Sequence, residues 1–110
     1  MPAACFTDDK FLTAIGNDID YEEVFGLPLR ALPRPEDTLV TISSAGQSSN
    51  IVSAIKVAMG KGCSIVTSTG MNSGNKCRSM GDLNFYVPAK SYGYFESEHA
   101  LLLHLWLDQF

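Results

Sequence analysis

The amino-acid sequence predicts a three-layer α/β/α domain built on a parallel sheet of about four strands. Short apolar or β-branched runs alternate along the chain with longer segments of helical period, the pattern of strand–helix–strand connections in a parallel sheet. The run Thr38–Ile42 is rich in strand formers with little in–out alternation, as expected of a strand covered on both faces, and this places it at the sheet centre. A chain of 110 residues has room for one domain, and no low-complexity stretch or Pro/Ser-rich linker divides it.

The elements follow in order. A first strand is expected over Ala3–Thr7, then a helical turn over Lys10–Ile15. Asp20 is placed to cap a helix over Tyr21–Leu32, with Glu22 and Glu23 in the first turn where the helix dipole favours them. Pro28 crowds this helix, and Pro33 and Pro35 end it. After the second strand, Thr38–Ile42, the loop Ser43–Ser49 leads into an amphipathic helix marked by Ile51, Ile55, Val57, Ala58 and Met59 and stopped by Gly60 and Gly62. Cys63–Thr67 is the third strand, followed by the loop "STGMNSGN" and a short helix near Lys76–Met80. Leu83–Val87 is the fourth strand, ended by Pro88, and Phe95–Phe110 forms the last helix.

Composition narrows the functions open to the chain. Eight Lys and Arg against twelve Asp and Glu give a net charge of −4 with no basic run, which argues against a nucleic-acid partner. The longest apolar stretch, Ala100–Leu107, falls far short of the ~20 residues of a membrane span, and the first residues show no basic region ahead of an apolar core as a secretory signal would. Cys5, Cys63 and Cys77 are odd in number and widely spaced, which fits neither a disulfide framework nor a CxxC metal site and points to reduced thiols in a cytoplasm. Neither GxGxxG nor a P-loop is present, which argues against a nucleotide-binding domain.

The segment richest in chemistry is "TLVTISSAGQSSN", in which a buried strand opens into Ser43, Ser44, Gly46 and Ser48 just ahead of a helix. Hydroxyl donors and free amides at the positive end of a helix suit a phosphate dianion, and Gly46 lets the backbone approach it. The ordinary alternative is a serine-rich turn with Ser48 or Ser49 as helix cap. Position favours binding, because open parallel sheets hold ligands beyond the C-terminal ends of their strands.

This segment resembles the serine/threonine-rich phosphosugar loop of sugar isomerase (SIS) domains. "LTAIGND" followed by "YEEVF" is similar to the matching region of phosphoheptose isomerases, as are the "VP" after the last strand and a histidine-bearing final helix, all in the same order. The resemblance implies an SIS-type, flavodoxin-like fold. It implies that Ser43, Ser44 and Ser48 hold the sugar phosphate and that Asn17 and Asp18 line the site and contact substrate, although Asn17-Asp18 taken alone reads as a Gly-Asn-Asp turn. Ala45 stands where the family usually carries a further serine, so one hydroxyl donor is missing.

His104 matches the family's catalytic histidine, and imidazole, with its ordinary pKa of about 6.5, suits proton transfer at neutral pH; a lone histidine on an apolar helix is otherwise a packed core residue. Glu96 stands where the family commonly has a glutamine, and some members place zinc between such residues and N-terminal ligands, so zinc on Glu96 and His104 is implied. At ~100° per residue these two side chains lie about 80° apart around the helix. A one-residue deletion after Pro88 would shift that match to Ser97, and Glu96 on a solvated helix start is the plain alternative. His99, on another face, is expected to pack or meet solvent; Asp108 either orients His104 or faces water. The loop "STGMNSGN" reads as a strand-to-helix turn.

The activity implied is conversion of sedoheptulose 7-phosphate to glycero-manno-heptose 7-phosphate by aldose–ketose isomerisation through an enediol, feeding heptose synthesis for bacterial lipopolysaccharide, in a cytoplasmic homo-oligomer, most simply a tetramer. The family also begins with a helical region, a first strand with a "GNGGS"-like loop, and a helix bearing a histidine and a glutamate. None of these is found here, so the chain is expected to be an incomplete SIS domain over 1–110, inactive alone, with Trp106, Leu103 and Phe110 partly exposed on a surface that invites oligomerisation. The alternative is a phosphosugar-binding or regulatory module without turnover.

Overall fold

The computed structural model of the chain describes residues 2–109. A three-stranded parallel sheet runs in the order β1 (Thr38–Ser43), β2 (Ser64–Gly70), β3 (Leu83–Val87). Around it stand α1 (Asp9–Asp18), α2 (Gly26–Ala31), α3 (Ser49–Gly60) and α4 (Tyr92–Leu107). The three-layer α/β class holds, with α3 on one face of the sheet and α4 on the other.

The sheet has three strands rather than four because Ala3–Thr7 forms none, despite its composition. A strand exists only when a neighbour takes its backbone hydrogen bonds, and nothing among the described residues pairs with this segment. The sheet centre is accordingly β2 and not Thr38–Ile42: β1 pairs on one side only, with Thr38 opposite Ser64 and Ser43 opposite Thr69. Nor is β1 covered on both faces, since Val40 and Ile42 are 43% and 40% exposed. β2 runs three residues beyond the expected end, to Gly70.

The expected helix Tyr21–Leu32 is broken into a 3-10 turn, Tyr21–Glu23, and α2. Pro28 explains the break: its ring clashes with the carbonyl four residues back, that of Val24, so it fits only in a helix's first turn. Asp20 caps the 3-10 turn, its carboxylate accepting from the Glu22 N–H at 2.8 Å, and Arg30 reaches back to Glu23 at 2.6 Å. Asp8 caps α1 by accepting from the N–H groups of Lys10 and Phe11. The short helix near Lys76–Met80 is a single 3-10 turn, Cys77–Ser79, and the last helix starts three residues early, at Tyr92; Phe110 lies outside the described residues.

Two packing layers follow from strand alternation. On the α3 face, Val52, Ile55, Ala58, Cys63, Ile65 and Cys77 form the core, with Leu39, Ile51 and Met80 against it. On the other face the strand register aligns Ile42 with Ser68 and Phe85, and Gly70 with Val87. There α4 docks through Phe95, His99, Leu102 and Trp106, a stripe at helical spacing, with the Trp106 ring 5.1 Å from that of Phe85. Phe95 is completely buried and lies where a side chain at Gly70 would be, so a Cβ at that glycine would overlap the ring.

Truncating a buried phenylalanine costs about 3–5 kcal/mol, so Phe95→Ala is expected to destabilise the chain by that amount in urea denaturation. Gly70→Ala overfills the same space and is expected to cost less in the Phe95→Ala background than alone; strictly additive losses would contradict this packing.

Candidate functional site

The loop after β1 is built from its backbone outward. Ser43, the last residue of β1, is buried, and its Oγ accepts from the Gly46 N–H at 3.1 Å, closing the turn. Gly46 takes a left-handed φ of +63°, which a glycine adopts at little cost. Ser48 occupies the N-cap position of α3, with φ −59° and ψ 126°, but makes no side-chain cap bond, so its exposed hydroxyl stays available at the helix mouth. Ser44 is half-buried and Ala45 exposed. Together these residues present hydroxyls and the Ser49 and Asn50 amides at the C-terminal end of a parallel strand, while the Ile51 N–H is taken by Asn50 Oδ1 at 2.8 Å, an arrangement that suits an anion.

Asn17 and Asp18 lie at the C-terminal end of α1, exposed and bonded to each other, with Asn17 Nδ2 donating to Asp18 Oδ1 at 2.8 Å. They border an open groove lined also by Leu12, Thr13, Ala14, Gly16 and Tyr21, and the serine loop adds nothing to that lining. The structure therefore does not join these two sets of residues in one pocket.

Along α4, Glu96 and His104 are both exposed. Relative to Phe95, His104 lies nine residues on, half a helical circumference away, so it points opposite the packed stripe. Any chemistry at His104 thus needs something else to cover that face. His99 is the buried histidine, as packing required: it is 4% exposed, with its ring 6.1 Å from that of Phe95 and no partner for Nε2 among the described residues. Burial pushes the His99 imidazole below its ordinary pKa, and a hydrogen bond to the Thr69 backbone partly offsets this.

Among the described residues, no three His, Cys, Asp or Glu side chains stand together to hold a metal ion. Glu96 and His104 supply two donors about 12 Å apart along the helix axis, short of the four ligands of a tetrahedral zinc site, so these residues do not by themselves fit zinc. Cys5, Cys63 and Cys77 are free thiols; burial pushes the Cys77 thiol up, against a smaller opposing pull from Lys76. No helix among the described residues is long and apolar enough to cross a membrane.

The parallel sheet flanked by helices on both faces is an architecture shared with solved phosphoheptose isomerases. The chain is similar over nearly all its length to phosphoheptose isomerases. That of Shewanella loihica is 36% identical over 111 residues, 98% of this chain and 56% of the relative. That of Chromohalobacter salexigens is 38% identical over the same shares. A solved phosphoheptose isomerase from Francisella tularensis superposes with a TM-score of 0.90 at 30% identity, over 97% of this chain and 58% of that one. One from Neisseria gonorrhoeae gives 0.87 at 37% identity. The chain thus spans just over half the length of the relatives it matches. No protein-family model matches it.

The lowered His99 pKa has a signed consequence for stability. In the unfolded chain this histidine titrates near its ordinary value of about 6.5, so the unfolded state binds more protons just below that pH. The stability of neutral His99 is complete above about 6.5 and is lost as pH falls through the window below it. The melting temperature is expected to drop from pH 7 to 5, before most carboxylates titrate, and to drop less in His99→Gln. Parallel pH profiles for the two proteins would contradict it.

Proposed function

We propose that the chain is the phosphate-holding part of a phosphosugar isomerase of the phosphoheptose type, an SIS domain acting on sedoheptulose 7-phosphate in the cytoplasm. The observation that carries this reading is the Ser43–Ser48 loop. Its hydroxyls and the Ser49 and Asn50 amides that open α3 lie together where an open parallel sheet holds ligands, in a chain that matches phosphoheptose isomerases over 98% of its own length. Ser43, Ser44 and Ser48 hold the phosphate ester; Ala45 withdraws one hydroxyl from the set and leaves more of the binding to backbone amides.

The aldose–ketose shift moves a proton between neighbouring carbons through an enediol, which needs a base at one carbon and an acid for the oxygens. His104 is the group this chain offers, with Asn17 and Asp18 ordering the sugar hydroxyls. An opposing carboxylate has to come from beyond these residues, as do the remaining donors if zinc joins Glu96 and His104. Oligomerisation, to a tetramer as in the resembled family, would cover the outward face of α4, where Leu101, Leu105 and Leu107 are exposed. The alternative reading, a phosphosugar-binding module without turnover, is favoured by His104 standing exposed, with only Asp108 one turn along the same helix as an acidic neighbour in the chain.

Calorimetry with sedoheptulose 7-phosphate tests the loop. The double substitution Ser43→Ala/Ser48→Ala is expected to weaken binding by ~1–3 kcal/mol, the usual cost of lost hydrogen bonds to a charged group. Unchanged affinity would remove the assignment.

A further inference from the structure

The loop between β2 and the 3-10 turn, which the sequence presents as a plain connection, is tied to the serine loop by hydrogen bonds at its two ends and by a packing contact between them. The Gly70 N–H donates to the Ser44 carbonyl at 3.0 Å, and the Cys77 N–H donates to the Gly46 carbonyl at 2.9 Å. Between them, the side chain of Asn75 lies so close to Gly46 that a Cβ on the glycine would overlap the carboxamide.

Asn75 has no group left to offer a ligand. It is 2% exposed. Its Nδ2 donates to Thr69 Oγ1 at 3.0 Å and to the Asn72 carbonyl at 2.8 Å, while its Oδ1 accepts from the Arg78 N–H at 2.9 Å. Arg78 is itself held, its Nη1 donating to the Ser73 carbonyl at 2.8 Å and its guanidinium 4.3 Å from the centroid of the Tyr86 ring. A buried carboxamide with these partners fixes the shape of the whole 70–77 segment.

We propose that Asn75 is a positioning residue for the Ser43–Ser48 loop, acting through the 70–77 segment to hold Gly46 left-handed and to engage the Ser44 and Gly46 carbonyls. The engagement matters electrostatically. A free carbonyl oxygen aimed at a dianion repels it, whereas these two oxygens are taken by N–H donors of the second loop, leaving hydroxyls and amides to face the ligand. Gly46 is required twice, for its backbone conformation and for the space Asn75 occupies. This inference rests on reading the serine loop as the phosphate site.

The test uses the unaltered chain, Asn75→Ala, and Ile55→Val as a control that lowers stability at a core position of α3 outside both loops. Amide exchange is followed by NMR at Gly46, Gly70 and Cys77, with a titration by inorganic phosphate. Asn75→Ala is expected to lose protection at all three amides and to bind phosphate about 3–30-fold more weakly, because only a fraction of the molecules then hold the binding shape. Ile55→Val is expected to keep both properties while melting earlier. Should Asn75→Ala not fold, exchange in the unaltered chain decides: one shared opening rate for the three amides supports the clamp, and independent rates overturn it. Asn75→Ala with full protection and unchanged affinity overturns it as well. If phosphate leaves Ser44, Gly46 and Ser48 unshifted in the unaltered chain, the phosphate reading fails, and the protection pattern by itself then supports or overturns the clamp.

Discussion

Three parts of the molecule meet at Gly70, and the absence of a side chain there is what allows them to. Its Cα lies under the ring of Phe95, the buried anchor that seats α4 on the sheet. Its N–H reaches across to the Ser44 carbonyl, tying the end of β2 to the loop after β1. Its place opposite Val87 fixes the C-terminal edge of β3. Any larger residue would push α4 off the sheet and pull the two loops apart together, so the helix carrying His104 and the loop carrying Ser43 share one structural dependence.

Much of this was legible in the residues. The β-branched run at 38–42 and the aromatic-rich run at 83–87 became strands because their composition suits a half-buried pleated surface, and the serine loop was recognisable because a strand, a glycine and a helix start follow one another directly. Ala3–Thr7 has strand-like composition too, yet pairing is a property of two segments and no local pattern reveals a missing neighbour. The break ahead of α2 was signalled by Pro28, whose effect falls four residues upstream at Val24. The roles of the two histidines were harder to assign from pattern, because α4 is apolar nearly all round; only the docked stripe shows that His99 faces inward and His104 outward. Asn75 gave no local sign, since what it holds lies nearly thirty residues away at Gly46.

Part of the exposed apolar surface lies on the α4 side of the molecule, apart from Phe11, Ile19, Leu32 and Met59 elsewhere. Val40, Ile42 and Leu83 lie on the α4 face of the sheet, and Leu101, Leu105 and Leu107 on the outer surface of α4. The outer edge of β1 carries backbone groups that no described strand satisfies. The relatives are nearly twice as long as the segment they share with this chain. A bare edge, an open sheet face and an uncovered histidine agree with the proposal that these residues hold one side of a site and leave the other side to be supplied.

That division is the central claim, and turnover measures it most directly. The chain alone, mixed with sedoheptulose 7-phosphate and followed by NMR for the aldose product, is expected to show no isomerisation above the uncatalysed rate, because one acid/base group on an open helix face supplies neither the opposing proton acceptor nor the closed pocket the enediol requires. Isomerisation by these residues unaided would contradict it, and would mean that His104 and its neighbours form a complete catalytic set.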